Sequence, residues 1–79
     1  MYLEIVTPEK KIFSGDIKLI QVPGSKGQFE VLRNHAAIIS TLAEGKIKII
    51  SPEGDKTFFD IQGGVIEVKN NKVVVLAEI

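Results

Sequence analysis

The sequence predicts an all-β protein built as a flattened sandwich. Short runs of β-branched and other apolar residues alternate with turn residues at intervals of about eight to ten, the spacing of a sandwich or barrel. Helical periodicity is nearly absent. Two stretches, Pro52 to Gly54 and Asn70-Asn71, contain the residue types that tight hairpin turns require. We therefore expect about nine or ten strands and no C-terminal helical hairpin.

The first three predicted strands follow from apolar runs that end at proline or glycine. Tyr2 to Val6 ends just before Pro8, which cannot donate a hydrogen bond to a ladder. Lys11 to Ser14 is a short strand that ends at Gly15. Asp16 to Val22 is apolar on both faces, which predicts a central strand covered on each side.

Turn residues separate the predicted strands in the middle of the chain. Pro23 to Gly27 interrupts the pattern as an ordinary turn. Gln28 to Leu32 returns to a strand pattern, and Arg33 to His35 separates it from a further strand over Ala36 to Ala43. The polar stretch from Gly24 to His35 is expected to be the most mobile part of the free protein, because loops with few apolar contacts open easily.

The next predicted unit is a hairpin. Lys46 to Ile50 alternates lysine with isoleucine, the period-two pattern of a half-buried strand. The turn Ser51 to Asp55 joins it to Phe58 to Ile61. All four phenylalanines lie within apolar patterns, so we expect them in the core. They are Phe13, Phe29, Phe58 and Phe59.

The last predicted unit is a second hairpin preceded by two glycines. Gly63-Gly64 predicts a bulge or a close backbone approach, because neither residue has a Cβ. Val65 to Lys69 and Val73 to Ala77 pair around Asn70-Asn71, since asparagine tolerates the left-handed region. No linker or internal repeat divides the chain, so residues 1–79 are expected to form one domain.

Composition and charge exclude several functions. Ten basic and ten acidic residues give no net charge and no basic patch for nucleic acid. The absence of cysteine excludes thiolate metal sites and thiol nucleophiles, and His35 is the single histidine. No Gly-x-Ser-x-Gly sequence accompanies it, and Gly24 to Gly27 lacks P-loop spacing. We therefore expect no catalytic residue, no metal and no cofactor in a soluble, cytoplasmic chain.

Three ordered blocks resemble one family. The first runs from Ile12-Phe13-Ser14-Gly15 through Ile20-Gln21-Val22-Pro23-Gly24 to Gly27, the second from Leu32 through Asn34-His35-Ala36 to Gly45, and the third from Gln62-Gly63-Gly64 to Ala77. Their order and spacing resemble the N-terminal β-sandwich domain of the epsilon subunit of rotary ATP synthases, called delta in mitochondria. The resemblance covers essentially the whole chain, and the ordered set is far more specific than any one block.

The resemblance implies a rotor component rather than an enzyme. Family members couple rotation of the membrane c ring to the gamma subunit during proton-driven ATP synthesis. The implied partners are therefore the gamma subunit and the c ring, with no nucleic acid. The implied location is peripheral, on the cytoplasmic side of the inner (plasma) membrane, which the subunit touches only through the c ring.

The resemblance also implies two sets of contact residues. Loops at one end of the sandwich face the polar loops of the c ring, at positions matching Ser25, Gln28, Glu30 and His35. A sheet face lies against gamma, at positions matching Thr7, Ser40 and Gln62.

Two departures from the family pattern bear on these implications. Glu30 stands where members commonly have glycine, and Arg33 where they have proline, which adds a charge pair beside the implied ring contact. Most bacterial members also continue into two C-terminal helices that sense ATP and block rotation. This sequence contains neither helix.

Two other classes remain as alternatives. A lipoyl- or biotin-carrier domain is also a β-sandwich of about this size, and its modified lysine would be Lys56, near the turn after Pro52. The carrier fold has two similar halves around that lysine, whereas Lys56 lies well past the midpoint of a sequence without a repeat. The other alternative is a generic β interaction module.

Overall fold

The structure is all-β. The computed structural model describes residues 1–79 and contains nine strands and no helix, so none that could cross a membrane. The strands are β1 (Tyr2–Val6), β2 (Lys11–Asp16), β3 (Leu19–Gly24), β4 (Gly27–Leu32), β5 (Ile38–Leu42), β6 (Gly45–Ile50), β7 (Lys56–Ile61), β8 (Gly63–Lys69) and β9 (Lys72–Glu78). The predicted fold class is therefore confirmed.

One continuous sheet folds over to make the two layers of the sandwich. The strand order is β2-β1-β9-β8-β5-β3-β6-β7, with β4 paired to the other edge of β3. Strands β5 and β3 share only the pair Gly24↔Leu42, so the sheet turns at this joint. At the far side, the rings of Phe13 on β2 and Phe59 on β7 meet edge to face at 6.1 Å. The layers are thus β2-β1-β9-β8-β5 and β4-β3-β6-β7.

The core between the layers is entirely apolar. It contains 15 buried residues, and no polar or charged side chain is buried with them. Strand β6 shows how the pattern produces it, because Ile47 and Ile49 are buried while Lys46 points outward. Alternation of side chains along each strand therefore separates the core from the solvent faces.

Strand β3 begins later than the sequence predicts. The single strand expected over Asp16 to Val22 is wrong, since Asp16 ends β2 and β3 starts at Leu19. Between them, the Ile17 N–H donates to the Met1 carbonyl and the Lys18 N–H to the Ile50 carbonyl, each at 2.8 Å. These bonds form the corner that moves the chain from one layer to the other. The central position of β3 is confirmed, but only one of its faces lies in the core.

The segment from Gly24 to His35, which the sequence predicts to be mobile, forms a hairpin over most of its length. Strands β3 and β4 pair over six positions, from Leu19↔Leu32 to Gly24↔Gly27. The turn between them consists of only two residues, Ser25 and Lys26. The sequence predicts an ordinary turn here, but over the longer stretch from Pro23 to Gly27. Pro23 therefore lies inside β3, where its carbonyl accepts a hydrogen bond from the Ala43 N–H at 2.7 Å.

Three of the four phenylalanines pack against the core as expected. They are Phe13, Phe29 and Phe59. Phe58 does not, because it alternates with Phe59 on the edge strand β7 and is 55% exposed on the outer face. Two consecutive aromatic residues on one strand point to opposite faces, so both could enter the core only if β7 had a second layer above it.

The glycine and asparagine predictions near the last hairpin are confirmed. A Cβ at Gly64 would overlap the carbonyl oxygen of Leu76 on the neighbouring strand, and its φ is +150°. The strand pair β8–β9 therefore has the close backbone approach that the glycines predict. Asn70 and Asn71 form the hairpin turn with φ values of 53° and 60°.

We expect Gly64→Ala to destabilise the fold by about 3 kcal/mol or more, because the new methyl group overlaps a backbone carbonyl and the backbone angle disfavours alanine. Gly54→Ala is the control, since Gly54 has φ +97° but nothing within 4 Å of its Cβ position. That variant isolates the backbone effect, at about 1 kcal/mol. Urea unfolding of both variants measures the difference, and equal losses would contradict the close approach.

Candidate functional site

The two ends of the sandwich carry different loops. At the end that contains Met1, the start of β1 lies beside the end of β2 and the start of β9, through the pairs Tyr2↔Asp16 and Tyr2↔Lys72. The connections over 33–37, 51–55 and 70–71 lie at this Met1 end. The turns over 7–10, 25–26 and 43–44 lie at the opposite end, with Ile79.

The residues expected to face the c ring do not share one end. Ser25 is in the turn at the Ile79 end, and Gln28 and Glu30 are exposed on the free edge strand β4. His35 follows β4 at the Met1 end, about 20 Å away at the rise of an extended strand. The expected grouping at one end is therefore wrong for His35, because β4 runs the length of the sandwich between them.

Hydrogen bonds attach two of the residues expected to face the c ring, Ser25 and Glu30, to neighbouring strands. The Ser25 N–H donates to the Thr41 carbonyl at 3.0 Å, and the Thr41 hydroxyl donates to the Ser25 hydroxyl at 2.8 Å. Glu30 accepts a hydrogen bond from the Gln21 amide at 3.3 Å. Glu30 and Arg33, the two residues that depart from the family pattern, form no ion pair with each other. Ser25 and Gln28 also line an open groove with Ser40.

The residues expected to face gamma are also dispersed. The Thr7 hydroxyl is occupied within its own turn, accepting from the Glu9 and Lys10 N–H groups. Ser40 is half-buried on β5, opposite the core residue Ile66 in the adjacent strand. Gln62 is exposed between β7 and β8. Thr7 and Gln62 thus lie at the Ile79 end, whereas Ser40 is on the inner side of its strand.

Sequence reasoning missed an exposed apolar surface on the outer side of β1, β9, β8 and β5. The strand registers place Glu67 between Ile39 and Val74, and Leu76 between Val65 and Val6. Ile39 is 72% exposed and Leu76 is 55% exposed. We call this surface the apolar face, and it consists of Val6, Ile39, Val65, Val74 and Leu76.

A signal for this surface was present in the last strand. Val73 to Ala77 is apolar at every position, although a strand with one face in solvent needs only alternate apolar residues. Val73, Val75 and Ala77 fill the core, which leaves Val74 and Leu76 outside. A contiguous exposed apolar surface of this kind commonly marks a site of protein interaction.

An ion cluster lies on the same outer side of the sheet. The Glu4 carboxylate is 2.7 Å from the Lys11 ammonium and 3.7 Å from that of Lys72. The hydrogen bond from Lys11, more than its charge and that of Lys72, holds the pKa of Glu4 below its ordinary value, and the same bond raises the pKa of Lys11. Because Glu4 is the cross-strand neighbour of Val74, these charges border the apolar face.

The remaining polar groups form no reactive constellation. No three His, Asp or Glu side chains cluster as metal ligands. The ring Nδ1 of His35 lies 2.8 Å from the carbonyl of Ala36, on the exposed surface. The chemistry that this arrangement supports is binding, through exposed apolar side chains on the sheet and polar groups at the ends.

The fold defines a β-sandwich domain with an exposed apolar face. The chain belongs to the family of the ATP synthase delta/epsilon chain β-sandwich domain, whose model matches residues 1–79.

Curated relatives support the family assignment. The ATP synthase epsilon chain of Campylobacter hominis is 45% identical over 78 residues, which are 98% of this chain and 60% of that protein. The epsilon chain of Protochlamydia amoebophila is 42% identical over 76 residues, or 96% of this chain and 52% of that protein. The chain thus spans a little over half the length of these relatives. The epsilon chain of Caulobacter vibrioides is 41% identical over 78 residues, which are 99% of this chain and 90% of that protein.

Solved structures show the same fold at lower identity. One is a chain of the Euglena gracilis mitochondrial ATP synthase, in a structure of OSCP, F1 and the c ring. The match has a TM-score of 0.90 and 22% identity, and it covers 95% of this chain and 48% of the Euglena chain. A chain from the central stalk and c ring of the Tetrahymena thermophila enzyme matches 99% of this chain and 63% of its own, with a TM-score of 0.83 and 18% identity.

We expect Glu4→Gln to remove a pH-dependent part of the stability. Glu4 has a lowered pKa in the folded state, so its carboxylate stabilises the fold above its ordinary pKa of 4.5 and this contribution is lost as the pH falls through the lower folded value. The native chain should therefore exceed the variant in urea midpoint at pH 7, and the difference should shrink as the pH falls below 4.5.

The matched control for this prediction is Glu9→Gln, which removes a carboxylate that has no ion pair. Its effect on the midpoint should be smaller at pH 7. A Glu4→Gln effect that stayed constant from pH 7 to pH 3 would show that the ion cluster does not act through the Glu4 charge.

Proposed function

We propose that this chain forms the β-sandwich of a non-catalytic central-stalk subunit of ATP synthase, which couples rotation of the c ring to the gamma subunit during proton-driven synthesis. The observation that carries the proposal is the family match over residues 1–79. The exposed apolar face supports it, because a stalk subunit must bind another protein tightly enough to transmit rotation. The names of the relatives and of the structures with this fold agree with that role.

The apolar face is the surface that fits gamma. Two of its aliphatic side chains, Ile39 and Leu76, are 72% and 55% exposed. Thr7 and Gln62 lie beyond its border at the Ile79 end and are proposed as rim contacts, where polar groups are usual. Ser40, on the inner side of β5, would then support the face rather than touch gamma.

The free edge of β4 is the surface that fits the c ring. Ser25, Gln28 and Glu30 present polar side chains there, and the Thr41 bonds to Ser25 hold the turn in a defined position. His35 lies at the other end of β4, so we assign it to the gamma side, where its connection leads directly into β5 and Ile39. The subunit would thus sit peripherally on the cytoplasmic side of the membrane and meet it only through the ring.

The carrier alternative gains no support from the structure. Lys56 lies at the start of β7, paired with Ile50, and not at the tip of the turn over 51–55. The strand order also shows no two similar halves around this lysine.

Co-purification tests the assignment directly. The chain is mixed with the purified cognate gamma subunit and, separately, with gamma bound to detergent-solubilised c ring. We expect a stoichiometric complex with gamma and a tighter one when the ring is present. An intact mass increased by a lipoyl or biotinyl group, without binding to gamma, would favour the carrier class instead.

We expect Leu76→Glu to weaken binding to gamma by at least about tenfold, because it buries a charge in the centre of an apolar interface. The control is Phe58→Glu, since Phe58 is equally exposed, at 55%, but lies on the outer face of the other layer. Calorimetric titration with gamma measures both, and equal effects of the two variants would remove the apolar face from the proposal.

We expect Gln28→Lys/Glu30→Lys to weaken proton coupling while the stability changes by less than about 1 kcal/mol, because both side chains are exposed and away from the core. The control, Glu53→Lys/Thr57→Lys, changes the net charge equally at exposed positions of the β6–β7 hairpin. ATP-driven proton pumping in reconstituted vesicles gives the readout. If Gln28→Lys/Glu30→Lys kept full coupling and Glu53→Lys/Thr57→Lys lost it, the c ring would instead be placed at the Met1 end.

A further inference from the structure

Two asparagines, 37 residues apart in sequence, are joined at the Met1 end by one backbone-to-side-chain and one side-chain-to-side-chain hydrogen bond. The Asn34 N–H donates to the Asn71 side-chain oxygen at 2.6 Å. The Asn71 amide nitrogen donates back to the Asn34 side-chain oxygen at 3.1 Å. We call this pair the asparagine latch.

The backbone at both positions is arranged to present these amides to each other. Asn34 has φ 66° and Asn71 has φ 60°, in the left-handed region that asparagine adopts more readily than most residues. The Asn71 carbonyl also accepts a hydrogen bond from the Tyr2 N–H at 3.0 Å. Asn71 therefore joins three segments, which are the start of β1, the β8–β9 turn and the connection between β4 and β5.

The connection over 33–37 depends on this latch. Its five residues form no strand and are all exposed. Apart from the latch, its hydrogen bonds are local ones, from the His35 N–H to the Leu32 carbonyl and between the His35 ring and Ala36. The latch is thus the only hydrogen-bonded attachment of the connection to a distant part of the chain.

The connection borders the apolar face. It leads into β5, where Ile39 belongs to that face, and Ala37 and Ile39 line one shallow groove with Glu67 and Lys69. A partner that covers the apolar face therefore also reaches the end of the connection at Ala37.

The geometry points to Asn71 as a positioning residue that holds the His35 connection in the conformation that gamma binds. This inference rests on the proposed function, from which it takes the identity of the partner. Without the latch, the exposed connection samples other conformations, and the apparent affinity falls in proportion to the fraction of molecules that are competent to bind.

Three variants separate the latch from the turn that contains it. Asn71→Gly keeps a left-handed backbone but removes the amide. Asn70→Gly is the matched control, because Asn70 has φ 53° in the same turn and takes no part in the latch. Asn71→Asp is the conservative variant, since its carboxylate accepts from both the Asn34 N–H and the rotated Asn34 amide.

Amide hydrogen exchange of the chain, followed residue by residue by NMR, measures the latch itself. In Asn71→Gly, we expect exchange at Asn34 and His35 to be about tenfold faster, which corresponds to about 1.4 kcal/mol. Exchange in the β8–β9 strands should change far less, and Asn70→Gly and Asn71→Asp should keep the native rates in the connection. Unchanged exchange in Asn71→Gly would overturn the latch.

Calorimetric titration with the purified cognate gamma subunit measures the consequence. We expect affinity to fall by about tenfold in Asn71→Gly and to remain native in Asn70→Gly and Asn71→Asp. Native affinity in Asn71→Gly, with faster exchange in the connection, would overturn the positioning role while leaving the proposed function intact. Failure of the native chain to bind gamma would overturn the proposed function, and the exchange data alone would then describe a purely structural latch.

Discussion

The fold depends on the joint between β5 and β3, where one sheet turns to cover itself. Only Gly24↔Leu42 pairs the two strands, with flanking bonds from Ser25 to Thr41 and from Ala43 to Pro23. A Cβ at Gly24 would meet the Gly27 carbonyl and the Phe29 ring at less than 3 Å. Pairing with β4 therefore requires a residue without a side chain at position 24, and the short contact with β5 lets the two halves of the sheet face each other across 15 buried apolar residues.

A sandwich made this way has two outer faces of different character. On β4-β3-β6-β7, charged residues such as the Lys46–Asp60 ion pair at 2.8 Å alternate with the exposed apolar side chains of Leu32 and Phe58. On β1-β9-β8-β5, the side chains of Ile39 and Leu76 remain exposed with nothing in the chain to cover them. The two faces are held apart by an apolar core in which no polar side chain is buried.

In the proposed role, the joint also connects the two partner surfaces. The ring-facing turn at Ser25 is bonded to Thr41 on β5, and β5 carries Ile39 on the face assigned to gamma. Force applied at the edge of β4 thus reaches the gamma side through a few hydrogen bonds and one shared strand. The asparagine latch does the same at the Met1 end, where it ties the His35 connection to the last hairpin.

The sequence by itself determined the fold class, most strand positions and the local turns. Alternation in Lys46 to Ile50 and the left-handed preference of Asn70-Asn71 act over a few residues, so they can be read without knowing the fold. Only the tertiary structure decided that His35 lies far from Ser25, that Phe58 faces solvent, and that Asn71 binds a residue 37 positions away. These outcomes depend on which strands pair and at which end each connection lies, and long-range pairing is set by packing of the whole core rather than by neighbouring residues.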